Sequence, residues 1–138
     1  MRCLYRADPP ERERVTRALI AVLEAEPNLE FAWLHGSFLA PAGFHDIDVG
    51  VHLSGGAEVR FRLGLDLAVR LDREAGFPVD VRVLNDAPVT FLFHVFREGR
   101  LLLSRNDESL ANLMERTVRE YLDMAPLLRQ ATIEAYGA

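Results

Sequence analysis

The chain has no lysine and a single cysteine, Cys3. One thiol excludes an internal disulfide and any cysteine-based zinc centre. All 16 basic residues are therefore arginines, and 21 acidic residues outnumber them, for a formal net charge of −5. The arginines are interleaved with Asp and Glu instead of forming a stripe, so the footprint of a direct DNA binder is missing. No uninterrupted apolar run approaches the roughly 18 residues that a membrane-crossing helix needs. The segment from Met1 to Glu13 is charged and contains Pro9-Pro10, unlike a signal peptide. Neither a Walker A motif nor a Gly-x-Gly-x-x-Gly fingerprint is present. The four histidines (His35, His45, His52, His94) lack metal-ligand spacing such as His-x-x-x-His. These absences lead us to expect a soluble, cytoplasmic protein with no membrane partner.

What is present suits one folded domain. The 138 residues are 49% apolar and 27% charged, and a chain near this size buries roughly 68–70% of its unfolded surface. No repeat, low-complexity tract or linker divides it, so residues 1–138 read as a single domain. Pro9-Pro10 suits a helix start, and Val15, Ala18, Leu19, Val22 and Leu23 follow at helical spacing. Leu29 to Leu34 reads as a buried strand. Asp46 to Leu53 alternates, with Ile47, Val49, Val51 and Leu53 on one side and Asp46, Asp48, Gly50 and His52 on the other. Ala57 to Ala75 reads as a helix ending at Gly76, and Val79 to Leu84 as a third strand. Val89 to Phe96 fits helix or strand. Glu98-Gly99-Arg100 predicts a tight turn before a short strand, Leu101 to Leu103. A long helix starts at Asn106 or Asp107 and reaches about Glu134. This order predicts an α/β (α+β) fold, a mixed β-sheet with helices packed on one side.

The chemistry is concentrated in the carboxylates. Asp46 and Asp48, two apart on a strand, leave the same face. Asp80 lies on the polar side of the next strand. If the two strands pair, three carboxylates gather, and two unit charges about 5 Å apart repel by roughly 3 kcal/mol at an effective dielectric near 20. A hard cation such as Mg²⁺, which takes oxygen ligands and keeps substrate phosphates in its shell, would relieve this. Solvated acids on an exposed strand face are the bland explanation. Gly36-Ser37 at the end of the first strand adds backbone that can approach an anion closely, and a hydroxyl donor. His45-Asp46 does not fit a helical His-Asp phosphohydrolase site, because this Asp lies on an alternating strand.

Gly36-Ser37, eight intervening residues, Asp46-Ile47-Asp48 and then Asp80 together resemble the polymerase-β-type nucleotidyltransferase superfamily. Val79-Asp80-Val81-Arg82-Val83-Leu84-Asn85-Asp86-Ala87-Pro88 and Phe96-Arg97-Glu98-Gly99-Arg100-Leu101-Leu102 resemble its minimal nucleotidyltransferase group, as does the stretch around Arg119 to Asp123. The resemblance covers about residues 29–130. It implies a nucleotidyltransferase fold in which Gly36 and Ser37 hold the nucleotide phosphates and Asp46, Asp48 and Asp80 are catalytic. Asp46 and Asp48 would bind two magnesium ions, with Asp80 ligating the second and helping to activate an acceptor hydroxyl. It further implies an antitoxin that transfers AMP from ATP to a tyrosine of a HEPN-domain ribonuclease toxin. The chain departs from the pattern at one point. The segment Phe38 to His45 has eight residues where nine or ten are usual, and it carries no arginine. That departure keeps a second reading open, a degenerate nucleotidyltransferase that neutralises its partner by binding alone.

Overall fold

Asp8 starts the first helix: its carboxylate accepts a hydrogen bond of 2.9 Å from the Glu11 N–H, and Pro9 and Pro10 occupy the first turn of α1 (Pro9–Glu24). The structure, a computed structural model, describes residues 3–136. The other elements are β1 (Leu29–His35), β2 (Ile47–Leu53), α2 (Ala57–Ala75), β3 (Val79–Val83), α3 (Val89–Glu98), β4 (Arg100–Ser104) and α4 (Asp107–Tyr136). A single 3₁₀ turn (Ser37–Leu39) follows β1. The segment that fitted helix or strand is thus helical, and Gly99 alone separates it from β4. Gly76 ends α2 in the left-handed conformation, φ 78°. At the end of α1 the Arg105 guanidinium donates to the carbonyls of Leu23, Glu24 and Glu26, satisfying groups a helix terminus leaves open.

The four strands form one mixed sheet in the order β3-β2-β1-β4. β1 pairs antiparallel with β2 and with β4, while β2 and β3 run parallel, joined by the α2 crossover. The mixed sheet agrees with expectation, but the helices cover both of its faces. Val15, Leu19 and Leu23 of α1 and Leu67, Leu71 and Ala75 of α2 pack with Ala32, Leu34, Ile47, Val49 and Val51 on one side. Leu92 and Val95 of α3 and Leu110 and Leu113 of α4 pack with Phe31 and Trp33 on the other. The cause is β1, where both sets of alternating side chains are apolar, so either face left open would expose large side chains to water. Among the described residues, no helix is long and apolar enough to cross a membrane.

Candidate active site

β1 ends where β2 and β3 begin, and the singled-out residues meet at that end of the sheet. The ladder sets His35 opposite Asp48 and Asp48 opposite Asp80. Neighbouring strands lie about 4.8 Å apart, so Asp48 and Asp80 stand side by side on one face. The third carboxylate is placed differently from the expectation. β2 starts at Ile47, so Asp46 precedes the ladder and is held by the incoming loop. Among the described residues, no group of three or more His, Cys, Asp or Glu side chains forms a ready metal-holding cluster. Asp80 is exposed on the edge strand, and Asp46 and Asp48 are half-buried.

Gly36 closes the site from the β1 side. Its φ of 80° lies in the region that favours glycine. A Cβ built there would fall 2.1 Å from the Asp48 Oδ2. Gly36 is therefore required twice, by its backbone conformation and by the carboxylate lying against it. Ser37 opens the 3₁₀ turn that follows, and both residues are exposed.

Two residues of the segment 38–45 belong to the core, while Leu39 to Ala42 between them are exposed. Phe38 and Phe44 are buried and meet edge to face, centroids 4.8 Å apart. Phe44 also meets Phe77, at 5.2 Å, and its backbone bridges to Tyr5. A charge does reach this loop, from α1. The Arg12 guanidinium lies over the rings of Phe38 and Phe44, at 4.9 and 5.3 Å. It donates to the carbonyls of Ala7 (2.9 Å), Ala42 (2.9 Å) and Phe38. These bonds tie together the two ends of a loop that starts beside Gly36 and finishes at Asp46. Nothing in the spacing of Arg12 marks this role, because its partners are backbone atoms 26 and 30 positions away.

Three further side chains, His35, Arg82 and Phe91, line the same face. The His35 ring stands edge-on to Phe91, centroids 5.4 Å apart, and its Nε2 is buried without a hydrogen-bond partner. Burial pushes the His35 pKa down, against an upward pull from Asp80 and with a further downward push from Arg82. The imidazole is accordingly neutral near pH 7. Arg82, two residues beyond Asp80 on the same face, lies with its guanidinium 4.7 Å from the centre of the Phe91 ring.

A cleft of about 560 Å³ opens at the other end of the sheet between His52, Asn85 and the first half of α4. Several of its polar groups already serve the fold. Asn85 bonds both the N–H and the carbonyl of Leu53, Asn106 accepts from the Ser109 N–H, and His52 pairs with Glu30 at 3.0 Å. The carboxylate end is the better candidate for chemistry.

The carboxylate donor set is all oxygen, which suits Mg²⁺. That ion is commonly held by one or two protein carboxylates, with the remaining ligands from water and substrate phosphates. Two carboxylates abreast beside a glycine with no side chain in the way therefore fit such an ion without a closed protein cage.

Comparison with known proteins bears on the same region. The family model described as polymerase beta, nucleotidyltransferase matches residues 17–108, about two thirds of the chain and all of the carboxylate end. No curated protein matches. Solved structures share the fold. One is the tri-AMPylated Shewanella oneidensis HEPN toxin in complex with MNT antitoxin, at a TM-score of 0.68 and 22% identity over 92% of this chain and 99% of that one. Another is a toxin–antitoxin structure with AMP-PNP, at a TM-score of 0.68 and 23% identity over 89% and 98%. A third is the toxin–antitoxin pair MntA-HepT, at a TM-score of 0.65 and 22% identity over 91% and 99%.

Proposed function

Since the chain belongs to the polymerase beta nucleotidyltransferase family, we propose that it is a Mg²⁺-dependent nucleotidyltransferase acting as an antitoxin, which moves AMP from ATP onto a tyrosine hydroxyl of a HEPN toxin. The observation that carries this is the in-register pairing of Asp48 with Asp80 beside Gly36. The likeness in fold to a complex of MNT antitoxin with a tri-AMPylated HEPN toxin, and to a toxin–antitoxin structure with AMP-PNP, supports the choice of partner and nucleotide.

In this reading Asp46, Asp48 and Asp80 hold the metal, and Gly36 and Ser37 receive the phosphates. Bound Mg²⁺ would neutralise charge on the phosphates and on the attacking oxygen. The chain's own residues do the rest. Gly36 lets the phosphate chain approach the backbone, and the Ser37 hydroxyl donates to a phosphate oxygen. Asp80, the most exposed of the three acids, accepts the proton of the acceptor hydroxyl. That oxygen forms a bond to the α-phosphorus, the bond from the α-phosphorus to the bridging oxygen breaks, and pyrophosphate leaves with the electron pair. Positioning and charge neutralisation supply most of such an acceleration.

The deciding test is neutralisation of the partner toxin by wild type and by Asp80→Asn, with the toxin's mass measured after incubation with ATP and Mg²⁺. The expected result is a toxin heavier by AMP with wild type, and an active, unmodified toxin with the variant. Full neutralisation by Asp80→Asn, with no mass change in either case, would establish the binding-only antitoxin instead.

A further inference from the structure

We propose that Arg82 is a phosphate-binding residue of this site, contacting the β- or γ-phosphate of the nucleoside triphosphate. The inference deepens the reading above and rests on it.

It starts from charge. Three carboxylates and a bound triphosphate carry about seven negative charges, against about four from two magnesium ions. The excess calls for a cation on the protein, and the segment from Ser37 to Asp46, which flanks the phosphates in that reading, contains no arginine. Arg12, the arginine that reaches this loop, faces inward, with its N–H groups on the Ala7, Phe38 and Ala42 carbonyls.

Arg82 is placed to answer that need. It stands two residues beyond Asp80, so both side chains leave the same face of β3. Its register partner on β2 is Gly50, whose missing side chain makes room for Leu84 to pack there. The residue is exposed, yet its guanidinium is fixed over the Phe91 ring at 4.7 Å. Contact with a ring face engages the guanidinium's charge without using its N–H donors on an oxygen acceptor. Phe91 in turn leans on His35, the neighbour of Gly36 and the ladder partner of Asp48. The stack thus ties the charge to the residues that form the site. The plain alternative is a solvated charge that discourages edge pairing of β3.

Calorimetric titration of the full chain with ATP, ADP and AMP in Mg²⁺ separates these, using wild type, Arg82→Gln, Arg82→Lys and Phe91→Leu. We expect Arg82→Gln to weaken ATP about tenfold or more, AMP by less than about twofold, and ADP in between, because losing a charged bidentate contact is felt only where its phosphate exists. Arg82→Lys keeps a charge without the fork and recovers part of the loss. Phe91→Leu keeps the arginine but loosens it, and costs about threefold on ATP. Unchanged ATP affinity in Arg82→Gln overturns the proposal. So does an equal fall for ATP and AMP, which would place Arg82 in the fold or at the base. Should wild type itself bind none of the three, the nucleotide reading fails, and the proposal with it.

Discussion

At Gly36 two independent constraints coincide, and they predict a sharp response. Gly36→Ala puts a methyl group into the space of the Asp48 carboxylate and forces an L-residue to φ 80°. The backbone strain alone costs about 1–2 kcal/mol. We expect a lower midpoint in urea together with loss of Mg²⁺-dependent ATP binding; retention of both would mean that Asp48 moves aside freely. His52 gives a prediction in pH. Its ring stacks on Phe31, centroids 4.6 Å apart, and burial pushes its pKa down, partly offset by the hydrogen bond and charge of Glu30, with Arg60 and Arg116 pushing it further down. The unfolded chain then takes up a proton here near pH 6.5, before the folded chain does. The stability His52 contributes is present above that pH and is lost as the pH falls from there through the lower folded value. Urea midpoints at pH 7.5 and 5.5 check this, since His52→Asn should narrow the gap between them. Such residue-level features were only partly legible in the sequence. Asp48, Asp80 and Gly36 announce themselves by spacing. Arg12 and Phe91 do not, because a bond to a backbone carbonyl or a ring face leaves no periodic trace.

Helix α1 and the loop it braces behave as one unit. Arg12→Ala removes three hydrogen bonds to carbonyls and two ring contacts at once. We expect a loss of about 2–3 kcal/mol in chemical denaturation, with little recovery in Arg12→Lys, whose single ammonium cannot reach three carbonyls as a fork does. Helix α4 is the opposite case. Its buried residues, Leu110, Leu113 and Thr117, all lie in the first half. The Phe93–Tyr121 stack, centroids 3.7 Å apart, marks about where packing on the domain ends. Leu122, Leu127, Leu128, Ile133 and Tyr136 beyond it are exposed. Truncation after Tyr121 should therefore move the unfolding free energy by no more than about 0.5 kcal/mol, a value that thermal and urea melts can check. Element positions were read well where periodicity is strong, as in α1, β2 and α2. The segment Val89–Phe96 stayed ambiguous because a short apolar run satisfies either period. The start of β2 shifted by one residue because alternation continues past the last ladder bond.

For the molecule as a whole, the expectation of helices on one side failed for a reason visible in β1. Leu29 to Leu34 is apolar at nearly every position, and only cover on both faces can bury it. The order of elements does not reveal which face each helix takes. Chain topology has a kinetic consequence as well. Gly36 follows β1, while Asp48 and Asp80 lie on β2 and β3, and the last pairing needs the parallel crossover through α2. A hairpin of β1 and β2 brings Gly36 to Asp48 early, by local closure, whereas Asp80 arrives only after a long loop has paid its closure entropy. An emerging or refolding chain would thus set Asp48 beside Gly36 well before Asp80 joins them.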